Sequence, residues 1–501
     1  MMKICQSNLF NFLAVSFLFL FVYCNSNTDV QGNVDNSTNS NATNLSNEAV
    51  DYGDGYNLTI NFANVKNDSV FLGHHFGDKQ YVIDTALVNE AGQVNFKSAD
   101  SDVLGGLYMV ILPNKKYFEF ILNERSFTIN ADSTDFLNKT TFKGSKENDI
   151  FYEDLIFLND KKKLAGELNE QKKSLDAESE AAKKITEQLK AVDKEVKSFR
   201  KDLQKKNPTL FYTKLLQASP DPEIPEELKN KTDKEGKQAQ FDYYKAHYLD
   251  GVDFSDERML NTPLLRQKMT YYFDKLTVQH PDSIFAAASY IIDEKVKGNQ
   301  DVFKYVTNYV TSNYEKSKIM GMDRVFVYMV EKYYMTGQAY WIDDTQLYKI
   351  KDRAMKLKPL LIGEKAPNMI LKDRDGKVHN MYDIDKDVTI LYFWDPDCGH
   401  CKKKTPILKD FWKKYKNESM MIYAACTEVE KEKWLNYIDE HELDFLNVAD
   451  FEFRSPFREV YDIYSTPVVY FLDKDKIIKA KKIGVEQLEQ VYKDYKAGKI
   501  K

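Results

Sequence analysis

Two cysteines separated by two residues, where a buried strand gives way to a helix, constrain this chain more than any other feature. Val388-Thr-Ile-Leu-Tyr-Phe-Trp394 is an almost unbroken apolar and aromatic run of strand length, and a helical pattern follows from Gly399 to about Tyr415. Between and into them run Asp395-Pro396-Asp397-Cys398-Gly399-His400-Cys401-Lys402. A structural zinc would need a second pair of ligands, and the chain holds no other Cys-x-x-Cys and no His-x-x-x-His. At this spacing one turn of helix brings both sulfurs close enough to bond. The unpaired N–H groups and the positive dipole end at the helix start favour a thiolate on Cys398. Cys398 is therefore the expected nucleophile and Cys401, one turn further in, the resolving thiol. The Cys398–Cys401 disulfide is the expected redox group, and no metal, nucleotide or flavin cofactor is implied.

Further features follow in order between about residues 360 and 497. They are Ile362-Gly-Glu-Lys-Ala-Pro367, the turn Asp373-Arg-Asp-Gly-Lys377, Phe393-Trp394, Pro406 inside the helix, and Tyr464-Ser-Thr-Pro467 before the apolar strand Val468–Leu472. In these residues the segment resembles the thioredoxin fold, specifically its exported TlpA/ResA-like branch of thiol–disulfide oxidoreductases. The resemblance implies that Pro467 is a cis-proline facing the redox pair. It also implies that Pro467 and the Thr466 backbone align an extended client beside the sulfurs, and Trp394 is taken with them as substrate-contacting. The pair is Cys-Gly-His-Cys, the dipeptide of protein disulfide isomerase, and His400 is positioned to stabilise the Cys398 thiolate by charge or hydrogen bond. Two positions depart from the family. Lys404 stands where relatives often carry an acid, and Tyr392 stands where thioredoxin has a buried aspartate. The acceptor of the Cys401 proton is thus open, with Asp395, Asp397 and Glu428 the candidates by position. A peroxiredoxin-type site wants Thr or Ser three residues before the cysteine, and Asp395 occupies that place.

A chain of 501 residues holds two to four domains. The N-terminus starts Met1-Met-Lys3, and Leu9–Tyr23 is an apolar run ending at Cys24. Its length suits a signal peptide and is short for a membrane span. A cysteine closing such a run resembles a bacterial lipoprotein signal, with Tyr23 and Phe21 atypical. Lipidation of Cys24, ordinary cleavage and an uncleaved anchor all lead to export. With Cys24 acylated and Cys5 removed, the remaining thiols are Cys398, Cys401 and Cys426, which is a catalytic set rather than a disulfide scaffold.

The expected organisation is a signal peptide over 1–24, a disordered Asn/Ser/Thr-rich linker over 25–54, a β-domain over 55–145, a helical domain over 146–358 and a thioredoxin-like α/β domain over 359–501. The linker has a coil reach on the order of 30 Å. Short alternating segments from Tyr56 onward predict an antiparallel sandwich or barrel of seven or eight strands. The adjacent His74 and His75 point to opposite faces of a strand and do not share a metal. Residues 146–206 read as one long charged helix. Leu168, Leu175, Ala182, Leu189, Val196 and Leu203 fall every seven residues, and the second seam position is broken by Gln171 and Glu178. That seam serves either a coiled-coil homodimer or packing along the chain's other helices. Aromatic stripes such as Tyr271, Tyr272 and Phe273 read as core. Cys426 ends a strand on the sheet edge that carries the redox loop, as a buried small side chain.

The reading is an exported enzyme held at a membrane surface and facing the periplasm, with protein thiols and disulfides as partners and a membrane redox donor. With 71 basic and 77 acidic residues, nothing is basic enough for nucleic acid. The alternative is an envelope binding or assembly factor in which the redox domain is secondary.

Overall fold

The computed structural model describes residues 55–99 and 103–500; the signal segment, Cys24 and the polar linker lie outside the described residues. Among the described residues no helix is long and apolar enough to cross a membrane. Two compact units emerge. One takes in the described residues up to Leu276 with Val296–Val302, and the other takes Thr277–Lys295 and the described residues from Phe303 on.

The first unit opens with strict alternation, since every second residue of Tyr56–Phe62 (β1) is buried. Seven more strands follow: Ser69–Phe76 (β2), Lys79–Leu87 (β3), Gln93–Ser98 (β4), Gly106–Ile111 (β5), Tyr117–Leu122 (β6), Ser126–Ala131 (β7) and Thr141–Lys143 (β8). They form two four-stranded sheets in the orders β4-β1-β7-β8 and β3-β2-β5-β6. One core lies between the sheets, containing Leu58, Ile60, Val70, Leu72, Phe96, Val110, Phe120 and Ile129. The arrangement is a sandwich in which one pair departs from the antiparallel expectation, because β1 and β7 run parallel. His75 Nε2 bonds Glu119 at 2.7 Å while His74 Nδ1 bonds the His75 carbonyl at 2.9 Å, so the two rings have separate partners.

Residues 146–206 are two helices, Lys146–Lys173 and Glu180–Lys206, which corrects the expectation of one. Ser174 caps the first helix, and the Ser179 side chain accepts from the Ala182 N–H to start the second. The turn falls where Gln171 and Glu178 interrupt the seam. Folding back lets the seam bury itself. Ala165 and Leu168 pack with Ile185, Leu189 and Val192, Phe157 stacks on Phe199 with centroids 4.0 Å apart, and Arg200 pairs with the buried Asp154. The heptad thus marks a helical hairpin within the chain. Of the aromatic stripes, Tyr272 and Phe273 are core while Tyr271 is exposed.

In the second unit, helices that include Asp323–Met329 and Asp344–Leu357 accompany a seven-stranded sheet. Its strands are Ile370–Asp373 (β9), Val378–Asn380 (β10), Val388–Trp394 (β11), Met420–Cys426 (β12), Leu446–Ala449 (β13), Val468–Asp473 (β14) and Ile478–Lys481 (β15), in the order β10-β9-β13-β12-β11-β14-β15. The central β11 is buried at every residue, as a strand covered on both faces must be. Parity still divides it. Val388, Ile390, Tyr392 and Trp394 join the core under the redox helix, while Leu391 and Phe393 join the core on the other face.

Charged side chains tie helical residues to this sheet. Lys481, 4% exposed, is bonded to Asp323 and donates to the Leu360 carbonyl at 2.7 Å. Asp462, with a side chain 1% exposed, is paired with Arg353 and, at 2.9 Å, with Lys482.

Candidate active site

Register builds the site. β11 runs parallel to β12 with Trp394 opposite Cys426, and antiparallel to β14 with Phe393 opposite Val468. The carboxyl end of β11 therefore lies beside the residues that enter β14, so the redox loop and Thr466-Pro467 meet at one sheet edge. The Thr466–Pro467 peptide is cis.

The loop folds on its own polar groups. Asp395 Oδ1 accepts from the Asp397 N–H at 2.7 Å, the Asp395 carbonyl from the Cys398 N–H at 3.2 Å, and the Trp394 carbonyl from the Thr427 N–H at 2.8 Å. Cys398 occupies the N-cap of the redox helix Gly399–Tyr415, with extended backbone angles, and its carbonyl accepts from the Lys402 N–H at 3.0 Å. That position sets the sulfur against the first-turn N–H groups. Its thiol donates to the Thr466 carbonyl at 3.2 Å. Burial opposes ionisation of Cys398. The Thr466 side chain, the backbone N–H groups of Cys401 and His400 and the Cys401 thiol outweigh it, and Cys398 lies below the ordinary thiol value. Cys401 is fully buried, and burial pushes its thiol up to about 12. Neighbouring sulfurs are thus driven apart, one toward the nucleophilic thiolate and one toward the stable thiol. All three described cysteines are free.

Cys398, Cys401, Thr466 and Pro467 come together, with Thr466 and Pro467 half-buried and His400 exposed on the first turn. Trp394 does not join them as a client contact, which corrects that expectation. It is completely buried, its ring 5.1 Å from that of Tyr437 on the helix Lys431–His441. Cys426 is also fully buried, and burial raises its thiol well above the usual value. Among the described residues no group of three or more His, Cys, Asp or Glu side chains is placed to hold a metal.

Three neighbours were not read from the sequence as site groups, Tyr392 being noted there only as standing where thioredoxin has an aspartate. Tyr392 OH and Thr405 Oγ1 lie 2.9 Å apart in the buried core. Tyr437 belongs to the same core as Cys401, and its hydroxyl has no hydrogen-bond partner. Thr405 could have been read from its place one turn beyond Cys401, on the same helix face. Tyr437 could not, because only the tertiary fold brings it there.

Residues 362–481 match the model of the AhpC/TSA family, while residues 56–151 and 170–358 match two domains of unknown function, DUF4369 and DUF5106. The thiol-disulfide oxidoreductase ResA of Bacillus cereus is 27% identical over 130 residues, which are 26% of this chain and 74% of that protein. A solved domain of a possible thiol-disulfide isomerase from Cytophaga hutchinsonii is 43% identical, covers 28% of this chain and 96% of that one, and has a TM-score of 0.27. A thioredoxin-like protein from Bacteroides caccae is 20% identical, covering 54% of this chain and 96% of that one at a TM-score of 0.43. Over its C-terminal domain the chain is similar to the TlpA/ResA-like thiol–disulfide oxidoreductases of thioredoxin-like fold, with extra domains on its N-terminal side.

Proposed function

We propose that the protein is an exported, lipid-anchored enzyme of the cell envelope that exchanges disulfides with protein clients as a reductase or isomerase. One observation carries the reading. Cys398 is a partly exposed sulfur at a helix start, bonded to the residue before cis-Pro467, with the buried Cys401 behind it. The Cys398 thiolate attacks a client disulfide, forming one S–S bond and releasing one client thiolate. Cys401 then loses its proton and attacks Cys398. That step forms the Cys398–Cys401 disulfide, frees the second client thiolate and completes a two-electron transfer to the client. A membrane donor restores the dithiol. Peroxidase chemistry is not part of the reading, because Asp395 stands where that site uses a hydroxyl residue.

The potential tests the direction of exchange. His400, by favouring the reduced form, moves the couple from thioredoxin's roughly −270 mV toward the isomerase value of about −180 mV. Equilibration with glutathione is expected to give a value between these two. A value near about −120 mV, in the strong-oxidant range, would overturn the reductase or isomerase reading. The anchor is tested separately. The native protein is expected to sediment with membranes and resist a salt wash, since stable attachment takes more than one acyl chain. Cys24→Ser should appear in the soluble fraction or as unprocessed precursor. A native protein that washes off in buffer would remove lipidation.

A further inference from the structure

The resolving step needs Cys401 to lose a proton inside a closed core, and the three carboxylates that the sequence offers as acceptors are occupied elsewhere. Asp395 bonds the Asp397 N–H, and Asp395 meets Cys401 through its own backbone N–H rather than its carboxylate. Asp397 is paired with Lys433 at 2.9 Å. Glu428 accepts from the Val429 and Glu430 N–H groups at 2.6 and 2.9 Å. The Cys401 sulfur has Cys398 and Thr466 beside it, and Tyr392 from β11 and Tyr437 from the helix Lys431–His441 lie in the same buried core, close enough to feel its charge.

Tyr392, Thr405 and Cys401 are all completely buried, and Tyr437 is 6% exposed. The Tyr392 and Thr405 hydroxyls are bonded to each other at 2.9 Å, which occupies one proton and leaves the other. The Tyr437 hydroxyl lies toward Thr405 in the same core as Cys401 and makes no hydrogen bond of ordinary geometry. An unsatisfied buried donor costs stability, and it persists where a charge later forms beside it.

We propose that the hydroxyls of Tyr392, Thr405 and Tyr437 are the positioning groups of the resolving half-reaction. They donate hydrogen bonds to the Cys401 sulfur as it becomes a thiolate, in the place where a proton-accepting carboxylate is expected. This deepens the exchange reading and rests on it. The hydroxyls keep their protons throughout. The Cys401 proton passes to the departing client thiolate, so the client leaves as a thiol. The Cys401 electron pair forms the new S–S bond as the Cys398–client S–S bond breaks. Protons and electrons balance between dithiol and client, and no third base is required. The arrangement suits clients whose leaving thiol is itself basic, as ordinary protein cysteines are.

The test mixes the reduced full chain with oxidised glutathione and follows, in acid-quenched samples, release of the glutathione thiol from its Cys398 mixed disulfide by Cys401 against pH. Tyr392→Phe, Tyr437→Phe and Thr405→Val are each expected to slow release near neutrality by about tenfold, the loss of one hydrogen bond to a charged sulfur. Each should also move the apparent titration of release upward. Thr405→Ser, which keeps the hydroxyl, is expected to retain the wild-type profile. Unchanged profiles in all three variants would overturn the proposal. So would an inflection in the carboxylate range abolished by Asp395→Asn or Glu428→Gln. Failure of Cys398 to load at all would instead overturn the exchange reading on which the proposal stands.

Discussion

Cys401→Ser reduces turnover with any disulfide substrate to the background rate of small-thiol exchange, and the protein accumulates as mixed disulfides through Cys398. The variant keeps the helix start and the first-turn backbone N–H groups that favour the Cys398 thiolate, so attack continues. It lacks only the second sulfur that frees the client. Non-reducing electrophoresis of whole-cell extracts should show new, reductant-sensitive bands above the monomer. Alkylation of the single remaining active-site thiol should still titrate below the ordinary value of about 8.5. Cys398→Ser, with only the buried high-titrating Cys401, should give neither bands nor turnover. Mixed disulfides in Cys398→Ser and none in Cys401→Ser would reverse the assignment of nucleophile and resolving thiol.

Asp323→Ala destabilises the second unit by about 3–5 kcal/mol, the cost of removing one partner from a buried ion pair. Lys481 is 4% exposed, and burial already lowers its titration despite the carboxylate beside it. Without Asp323 the ammonium keeps only the Leu360 carbonyl at 2.7 Å. The loss depends on pH in a definite direction. A buried lysine with a depressed value disfavours the folded state while the unfolded chain is protonated. The destabilisation is therefore largest near neutrality and shrinks as pH rises toward the free value of about 10.4. Urea unfolding at two pH values measures both the size and the sign. A change below about 1 kcal/mol, the range of exposed pairs, would mean that the pair is solvated in solution.

The redox centre was legible because each part leaves a local mark. Cys398 and Cys401 stand at helical spacing after a strand-length apolar run, and Pro467 precedes the strand that pairs with that run. Trp394 was misread because a strand buried on both faces shows no alternation. Its parity with Tyr392 and Ile390, which turns it away from clients, becomes visible only with the sheet in place. The break at 174–179 was legible in part. Gln171 and Glu178 sit in an otherwise apolar seam, and Ser174 and Ser179 are both capping types, but the seven-residue spacing carries across the gap and mimics one helix. The parallel pairing of β1 with β7, the Tyr437 hydroxyl beside Cys401 and the Arg353–Asp462 pair join residues far apart in sequence. No local pattern encodes such contacts.

Asp462 holds the chain five residues before Pro467, and one of its two cations, Arg353, comes from a helix outside the α/β sheet. The segment before the cis-proline is thus held by charges from both sides of the sheet's boundary. A guanidinium and a buried carboxylate tie the helix Asp344–Leu357 to the segment that leads into Pro467. Exchange chemistry alone needs no such linkage.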